Sequence, residues 1–483
     1  MEDDSSVTIG TDNQLLFDDA LVADKSGFSL TLNPPARAEA PALRPERPWE
    51  AGGVHHASVV GVSDGYRLYY SATADDGSTS LCVALSEDGV EWHRPDLGVV
   101  EHAASSATNI VMRGATGSVF VDPAAPAGER FKFIGEDRTP WGVTSVNCGG
   151  ARFRYFKEKL ETWVYPAVIG AISPDGIAWT KYPAPIMPWY TDTQNVAFRD
   201  ERLQRYVAFV RWNEHLHLDA DGRQVGSFDY RAVARAESSD FSRFPEPGKV
   251  LEPDFSQSAD DDLAGGGLYN SAAIKYPWAA NSYFIFTSAY HHTSDTLDVQ
   301  LATSRDGIVF TRWPTPFVRL GPAGAFDAKG LYMASGMVAG DDELYLYYTG
   351  VSTRHDIDVD AKRSGDAQPS AIGRLRLRRD GFVSQDAEGA RASLTTVPFA
   401  LAGDRLQVNM DASSRGWLQV EVLDASGHAL WGYAAAEADR LTANDLRRTV
   451  TWNGRADLSA LRGRRVRLRF LGSWVKLYGF RFR

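Results

Sequence analysis

Four carboxylates are spaced along the chain, each beside a short β-type run: Glu50, Asp122, Asp192 and Asp327. Two carboxyl groups that face one bond can perform the chemistry that glycosidic bond hydrolysis requires. One carboxylic acid protonates the leaving oxygen, and a second carboxylate attacks the anomeric carbon or activates water. Because the four residues lie far apart in the chain, only a fold that gathers them could combine them.

Short β-type runs separated by turn signals dominate the sequence, and amphipathic helical patterns are scarce. Between about residues 45 and 385 the runs form five groups of four, at roughly 65 to 70 residues per group. The hairpin motif Ser-x-Asp-Gly joins the third and fourth runs at 86–89, 173–176 and 304–307, and a degenerate form occupies 238–247. Asp-Gly between extended runs favours a tight turn, because glycine accepts a positive φ.

Four-stranded sheets repeated around an axis are the blades of a β-propeller. The predicted fold is therefore all-β, a five-bladed β-propeller followed by a C-terminal β-sandwich. We expect an N-terminal segment, 1–44, whose run "NQLLFDDALV" closes the ring, a propeller domain at 45–390 and a sandwich at 391–483. The first strand of each blade lines the central channel, so residues beside those strands are expected to converge.

Composition narrows the functional classes. The net charge of −11 and the pI of about 5.5 disfavour a nucleic acid or an anionic membrane as a partner. Two cysteines, Cys82 and Cys148, form neither a disulfide framework nor a zinc site. The acidic start of the sequence lacks a signal-peptide pattern, and no apolar stretch approaches the length of a membrane span, so we expect a cytoplasmic protein.

Residues near the first strands are the candidates for substrate binding. Imidazole and amide groups can bind sugar hydroxyls, and aromatic rings can stack on sugar rings. Besides Asp327, the candidates are Asp19, Trp49, His55, His56, Trp189, Gln194, Asn195, Tyr269 and Asn270.

Each candidate also has a structural interpretation. Glu50 could pair with Arg44 or Arg47, and Asp122 could cap a turn. Asp192 could be an ordinary loop carboxylate, and His56 and the tryptophans could pack in the core.

The chain resembles the five-bladed propeller glycosidases, which include the invertase, levanase and fructanase group and the arabinanase and xylosidase group. The resemblance rests on "PALRPERPWE" (41–50), "SVFVDP" (118–123), "DTQNVAF" (192–198), "LYNSAAI" (268–274) and "LYYTG" (346–350). It implies a glycoside hydrolase that acts on oligosaccharides, exo-acting on furanosides of the fructoside or arabinoside type.

The invertase motif W-M-N-D-P-N-G and an E-C motif are absent, so the catalytic pair cannot be transferred by motif. Our preferred assignment makes Asp192 the acid and Glu50 the nucleophile or base. Asp122, in the D-P pair that resembles the family's R-D-P strand, stabilises the transition state. No cofactor is required, although a channel-bound cation would be compatible with the arabinanase relatives.

Two further functions stay open for the same fold. One is a glycoside phosphorylase or transglycosylase, for which phosphorolysis would need a cationic phosphate site. The other is a propeller that binds carbohydrate through its carboxylates without cleaving it. In all three cases the predicted partner is an oligosaccharide or another glycoside.

Overall fold

The computed structural model describes residues 7–9, 11–137, 145–147, 152–154, 167–214, 230–256, 262–264, 266–358, 367–389 and 391–483. They form two compact units. One comprises Pro35–Lys275 and Tyr283–Arg376, and the other Met1–Pro34, Tyr276–Ser282 and Leu377–Arg483. The all-β class, a propeller with a C-terminal sandwich, is confirmed.

The helical segments of the described chain are short 3-10 turns, among them Pro48–Glu50, Ala127–Glu129 and Ser459–Leu461. None of the helices in these ranges is long and apolar enough to cross a membrane.

Within the described part of the first unit, the strands form five antiparallel blades. Blade 1 contains Gly53–Val62, Gly65–Thr73, Thr79–Ser86 and Ile110–Arg113. Blade 2 contains Thr116–Val121, Phe131–Asp137, Ala167–Ser173, Thr180–Lys181 and Met187–Tyr190, with the short pair Ser145–Asn147 and Arg152–Arg154. Blade 3 contains Val196–Asp200, Arg205–Glu214, Tyr230–Ser238 and Gly248–Leu251. Blade 4 contains Gly267–Lys275, Tyr283–His291, Thr296–Ser304 and Thr311–Val318. Blade 5 contains Gly330–Met333 with Val338–Ala339, then Glu343–Val351, Ala371–Arg378 and the N-terminal strand Ala36–Arg37.

The strand that completes blade 5 differs from the predicted one. Ala36–Arg37 pairs antiparallel with Ala371–Arg378, whereas Gln14–Leu15, within the run expected to close the ring, pairs with Val475–Phe482 in the other unit. Pro34 and Pro35 separate the two segments, and prolines end strand pairing because they lack the backbone N–H. The ring-closing strand therefore begins only after them.

The second unit is a β-sandwich of two sheets. One contains Val7–Thr8, Phe399–Ala400, Arg465–Ser473, Ala392–Thr396, Val22–Ser26 and Trp417–Asp424. The other contains Asn444–Thr449, Leu406–Asp411, Val475–Phe482, Val383–Ala387, Phe28–Leu32 and Gln14–Leu15. Inward-facing residues of both sheets, such as Leu394, Val420, Val408 and Leu477, share one buried core.

The five first strands run in the same direction around the channel. Ser58 and Ser335 form a parallel bridge between blades 1 and 5, and the hydroxyl of Ser58 accepts a hydrogen bond from the backbone of Val119 in blade 2. We call the end at which the first strands begin the N-face, and the opposite end the C-face. Apolar layers fill the spaces between blades, as Phe120, Ile134 and Ala208 do between blades 2 and 3.

The repeated Ser-x-Asp-Gly turn lies at the C-face, where the third strand of a blade ends. In blade 2 the Ser173 hydroxyl accepts a hydrogen bond from Gly176 N at 2.8 Å, and Gly176 has φ +74. The buried hydroxyl of Tyr69, in blade 1, donates to the Gly176 carbonyl at 3.0 Å. Tyr347 of blade 5 contacts the Gly89 carbonyl of the blade 1 turn in the same way. These turns are therefore structural, and their hydrogen bonds hold successive blades together.

We expect Gly176→Ala to destabilise the propeller more than Gly77→Ala. Both glycines have a positive φ, +74 and +78, so alanine strains both backbones. A Cβ at Gly176 would collide with the Tyr69 hydroxyl, whereas Gly77 faces open space. Loss of the buried hydrogen bond should add about 1–3 kcal/mol at Gly176. Urea unfolding of both variants measures the difference, and equal losses would contradict the fastening role.

Candidate active site

A cluster of polar and aromatic side chains lies at the N-face. The Asp192 carboxylate, one-third exposed, contacts the guanidinium of Arg211, of which only 3 % is exposed. The guanidinium carbon of Arg211 lies 4.4 Å from the ring centre of Tyr269 in blade 4. Two predicted residues, Asp192 and Tyr269, are thus brought together with Arg211 from two blades.

The neighbouring residues hold Asp192 and Arg211 in place. Asn195 accepts a hydrogen bond from the Thr191 hydroxyl at 3.0 Å and donates to the Thr193 carbonyl, which shapes the loop that carries Asp192. Gln194 donates to Ala57 O and to the Ser118 hydroxyl, both at 2.9 Å, and so ties three blades together. Buried Trp189 donates to the Arg211 carbonyl at 2.7 Å. We therefore infer that Gln194, Asn195 and Trp189 position the site, and Trp189 is too buried to stack on a sugar.

His55 and His56 lie at a bulge in the first strand of blade 1. The register shifts between His55 and Ser58, and His56 has φ +47, a strained value for a residue other than glycine. The two rings meet edge to face at 5.0 Å. Burial lowers the pKa of His55 to about 4, and burial, His55 and the charge of Arg211 lower the pKa of His56. Both imidazoles are therefore neutral near pH 7 and can donate and accept hydrogen bonds.

Tyrosine and histidine side chains connect blades 4 and 5 at the same face. The Tyr269 hydroxyl lies 3.1 Å from His355 Nε2, and the Tyr332 hydroxyl lies 3.3 Å from His355 Nδ1. The Asp295 carboxylate accepts hydrogen bonds from the backbone of Asp356, which holds the loop that carries His355 and Asp356. The Asp356 side chain is 73 % exposed, so this loop presents a carboxylate to solvent.

Glu50 does not have the environment of a nucleophile or base. Its buried carboxylate accepts hydrogen bonds from Arg94 at 2.8 and 3.0 Å, from the Tyr70 hydroxyl at 2.6 Å and from backbone N–H groups of Glu46 and Arg47. The predicted catalytic role conflicts with this geometry, because no oxygen remains to attack a substrate. Arg94 is the partner, rather than Arg44 or Arg47. The neighbouring Trp49 is buried and donates to Asn109 at 3.0 Å, so it packs in the core.

Asp122 lies at the C-face, because it follows the end of its first strand. It is buried and accepts a hydrogen bond from Tyr206 of blade 3 at 2.7 Å. Asp200, at the end of the first strand of blade 3, accepts the equivalent bond from Tyr283 of blade 4 at 2.6 Å. This repetition makes Asp122 a structural contact between blades, and it contradicts the transition-state role that the D-P motif implied.

Asp327 and Asp19 also have structural partners. Buried Asp327 pairs with Arg37 of the ring-closing strand at 3.1 Å and accepts from Tyr348 at 2.7 Å. The register places Tyr348 on the opposite side of the blade 5 sheet from Tyr332, so Asp327 does not join the Tyr332 cluster. Asp19 lies in the sandwich unit and pairs with Lys25 at 2.7 Å. The predicted substrate contacts of Asp327 and Asp19 are therefore not supported, and the Asn270 side chain lies outside the described residues.

The fold brings four further residues, which were not predicted, to the N-face: Glu136, Arg231, Tyr332 and His355. Tyr332 had a signal, because Gly330-Leu331-Tyr332 repeats the Gly267-Leu268-Tyr269 motif at the start of a first strand. Glu136 pairs in register with Thr116, at the N-face end of blade 2. Nothing in their local sequence distinguishes Glu136 and Arg231 from ordinary strand residues.

The described residues of the N-face cluster were also considered as a metal site and as part of a cavity. Among the residues that the structure describes, no group of three or more His, Cys, Asp or Glu side chains could hold a metal ion, so a channel-bound cation stays a prediction. A cleft of about 540 Å³ lies beside the ring-closing strand and is lined by residues that include Arg37, Arg44, Phe326 and Asp327. It shares no lining residue with the Tyr269 cluster.

No protein-family model matches the chain, and no curated protein matches it. Among solved structures, it is similar to an N-acetylgalactosamine deacetylase from F. plautii, at 14 % identity, a TM-score of 0.43 and coverage of 73 % of this chain and 96 % of that one. A glycosyl hydrolase from Bacteroides ovatus shows 13 % identity, a TM-score of 0.43 and coverage of 76 % and 96 %.

A third structure concerns the GH130 family of mannoside phosphorylases, which contains glycoside hydrolases that target β-1,2 mannosidic linkages in Candida mannan. It shows 14 % identity, a TM-score of 0.41 and coverage of 76 % and 96 %. These three neighbours are carbohydrate-active enzymes.

We expect Glu50→Gln to destabilise the protein by about 3–5 kcal/mol, because it leaves the Arg94 charge buried without its main partner. Glu46→Gln removes the exposed partner of the same arginine and should cost less than about 1 kcal/mol. Denaturant unfolding measures both values. A stable Glu50→Gln protein would show that the carboxylate is not structural.

The free energy of unfolding should fall as the pH drops from about 6.5 towards 4. In this window the unfolded chain protonates His55 at its ordinary pKa of 6.5, whereas the folded protein, with a pKa of about 4, does not. His55→Gln should therefore flatten the dependence, and the same change at His93, which is exposed, should not. Unfolding curves between pH 4 and 7 test this, and equal slopes for all three proteins would contradict it.

Proposed function

We propose that the protein cleaves glycosidic bonds of oligosaccharides at the N-face cluster, and that it removes terminal furanosyl units of the fructoside or arabinoside type. One observation carries the proposal: the partly exposed carboxylate of Asp192 lies beside Arg211 and the aromatic cluster at the end where five first strands converge. Carboxylates among hydroxyl and imidazole groups suit the binding and hydrolysis of a sugar. The furanoside preference rests on the sequence resemblance alone.

In this proposal Asp192 is the base or the nucleophile. A general acid must carry a proton on the oxygen that faces the substrate, but an Asp192 oxygen accepts a hydrogen bond from Arg211. The sequence-based assignment of Asp192 as the acid is therefore reversed. Two carboxyl groups at the N-face are candidates for the acid, Asp356 on its exposed loop and Glu136 in blade 2.

Asp192→Asn should lower kcat/KM by roughly 10²–10⁴-fold, because it keeps the shape of the side chain and removes its charge. The melting temperature should change little, since the side chain is partly exposed. The measurement is product release, followed by mass, from chromogenic furanosides and natural fructo- and arabino-oligosaccharides. Asp64→Asn, in an exposed C-face hairpin, is the matched control. Asp356→Asn and Glu136→Gln identify the acid in the same assay.

The outcomes separate the alternative functions. Full activity of Asp192→Asn on a confirmed substrate would remove Asp192 from the mechanism. A wild-type protein that binds oligosaccharides but cleaves none would be the carbohydrate-binding propeller. Sugar phosphate formed only in the presence of inorganic phosphate would identify a phosphorylase, and transfer to a second sugar would identify a transglycosylase.

A further inference from the structure

Two arginines flank one tyrosine at the centre of the N-face cluster. The guanidinium carbons of Arg211 and Arg231 lie 4.4 and 4.5 Å from the ring centre of Tyr269. Arg231 is the second residue of the third strand of blade 3. It lies opposite Asn213, which is two residues beyond Arg211 in the second strand. Because alternate residues of a strand face the same side, Arg211, Asn213 and Arg231 share one side of the sheet.

Two arginines beside one tyrosine ring have an electrostatic cost. Burial lowers the pKa of Arg231, and the positive charge of Arg211 lowers it further. Tyr269, Asp192 and Asp356 act in the opposite direction and raise this pKa. Two like charges on one ring repel each other, and cations removed from water lose hydration. Such cost is typical of sites that bind a charged group.

Buried uncharged polar atoms also belong to this cluster. Asn213 is fully buried, and neither its amide nitrogen nor its amide oxygen has a hydrogen-bond partner among the described residues. Nδ1 of His56, whose pKa the Arg211 charge affects, is likewise buried without such a partner. Buried amide and imidazole groups normally have hydrogen-bond partners, so these atoms are suited to hydrogen bonds with a bound molecule.

We propose that this cluster binds the carboxylate of an acidic sugar, a uronic acid unit to which the terminal furanosyl unit is attached. This proposal rests on the proposed function and names its substrate class. Guanidinium groups match the planar geometry of a carboxylate. A carboxylate carries one negative charge, whereas phosphate at neutral pH approaches two. Asp192 and Asp356, which act electrostatically on Arg231, would repel the phosphate more strongly.

The test compares acidic oligosaccharides with the same oligosaccharides after chemical reduction of each carboxylate to a hydroxymethyl group. The linkages are identical, so only the charge differs. Wild-type kcat/KM should favour the acidic form by at least about 30-fold, the lower end of the effect of removing one partner from a buried charge pair. Arg231→Gln should abolish this preference, and Arg231→Lys should restore part of it. Arg205→Gln, at the exposed C-face end of the same blade, should keep the wild-type ratio.

A second measurement does not depend on cleavage. Titration with D-galacturonate and D-galactose, followed by NMR, should show binding of the acid only, and Arg231→Gln should abolish it. Acid-selective binding without cleavage of any substrate would support the carboxylate site and contradict the proposed hydrolase. Cleavage of neutral and acidic forms at equal rates would overturn the carboxylate site and leave the hydrolase standing. Binding of inorganic phosphate, with phosphate-dependent cleavage that Arg231→Gln removes, would also overturn it.

Discussion

Buried tyrosine hydroxyls that reach from one blade to the next are the contacts on which the propeller depends. Tyr69 donates to the turn of blade 2, Tyr206 to Asp122, and Tyr283 to Asp200. A buried hydroxyl without an acceptor costs about 1–3 kcal/mol. Separation of two blades is therefore unfavourable, because the tyrosine of one blade and the acceptor of the other would both lose their partner. Apolar packing between blades is not directional, so these hydrogen bonds determine which parts of neighbouring blades meet. The pair of Arg37 and Asp327 completes the ring at the ring-closing strand.

These tyrosine contacts lie at the C-face, and that location explains the difference between the two ends of the channel. At the C-face the carboxylates of Asp122 and Asp200 are held by tyrosines of the next blade. At the N-face, two arginines share the ring of Tyr269, and Asn213 keeps buried atoms that no described residue satisfies. The stability supplied by the C-face allows the N-face to keep charges and polar atoms that cost free energy.

The blades were predicted from groups of four β-type runs and from the repeated turns, because Asp-Gly with a preceding serine has a defined local geometry that does not depend on distant residues. Asp192 and Tyr269 were predicted as site residues from their positions beside the starts of first strands. The same reasoning was wrong for Asp122 and Glu50, since a carboxylate in the sequence carries no sign of its partners. Whether Asp122 lies at the N-face or the C-face depends on where its strand begins, and the D-P motif does not show this.

In this fold, residue type alone therefore does not distinguish a structural side chain from one in the candidate active site. Tyr206 and Tyr269 are both largely buried tyrosines, yet Tyr206 secures a carboxylate between blades and Tyr269 lies between two cations with its hydroxyl on His355. Strand direction alternates within each blade of a propeller. A residue near the start of a second strand therefore lies at the C-face, and a residue near the start of a first or third strand lies at the N-face. Arg231 lies near the start of a third strand, which is why it meets Tyr269 although the two residues are 38 positions apart in the sequence. Strand order and direction, more than motif, decide which side chains can act together.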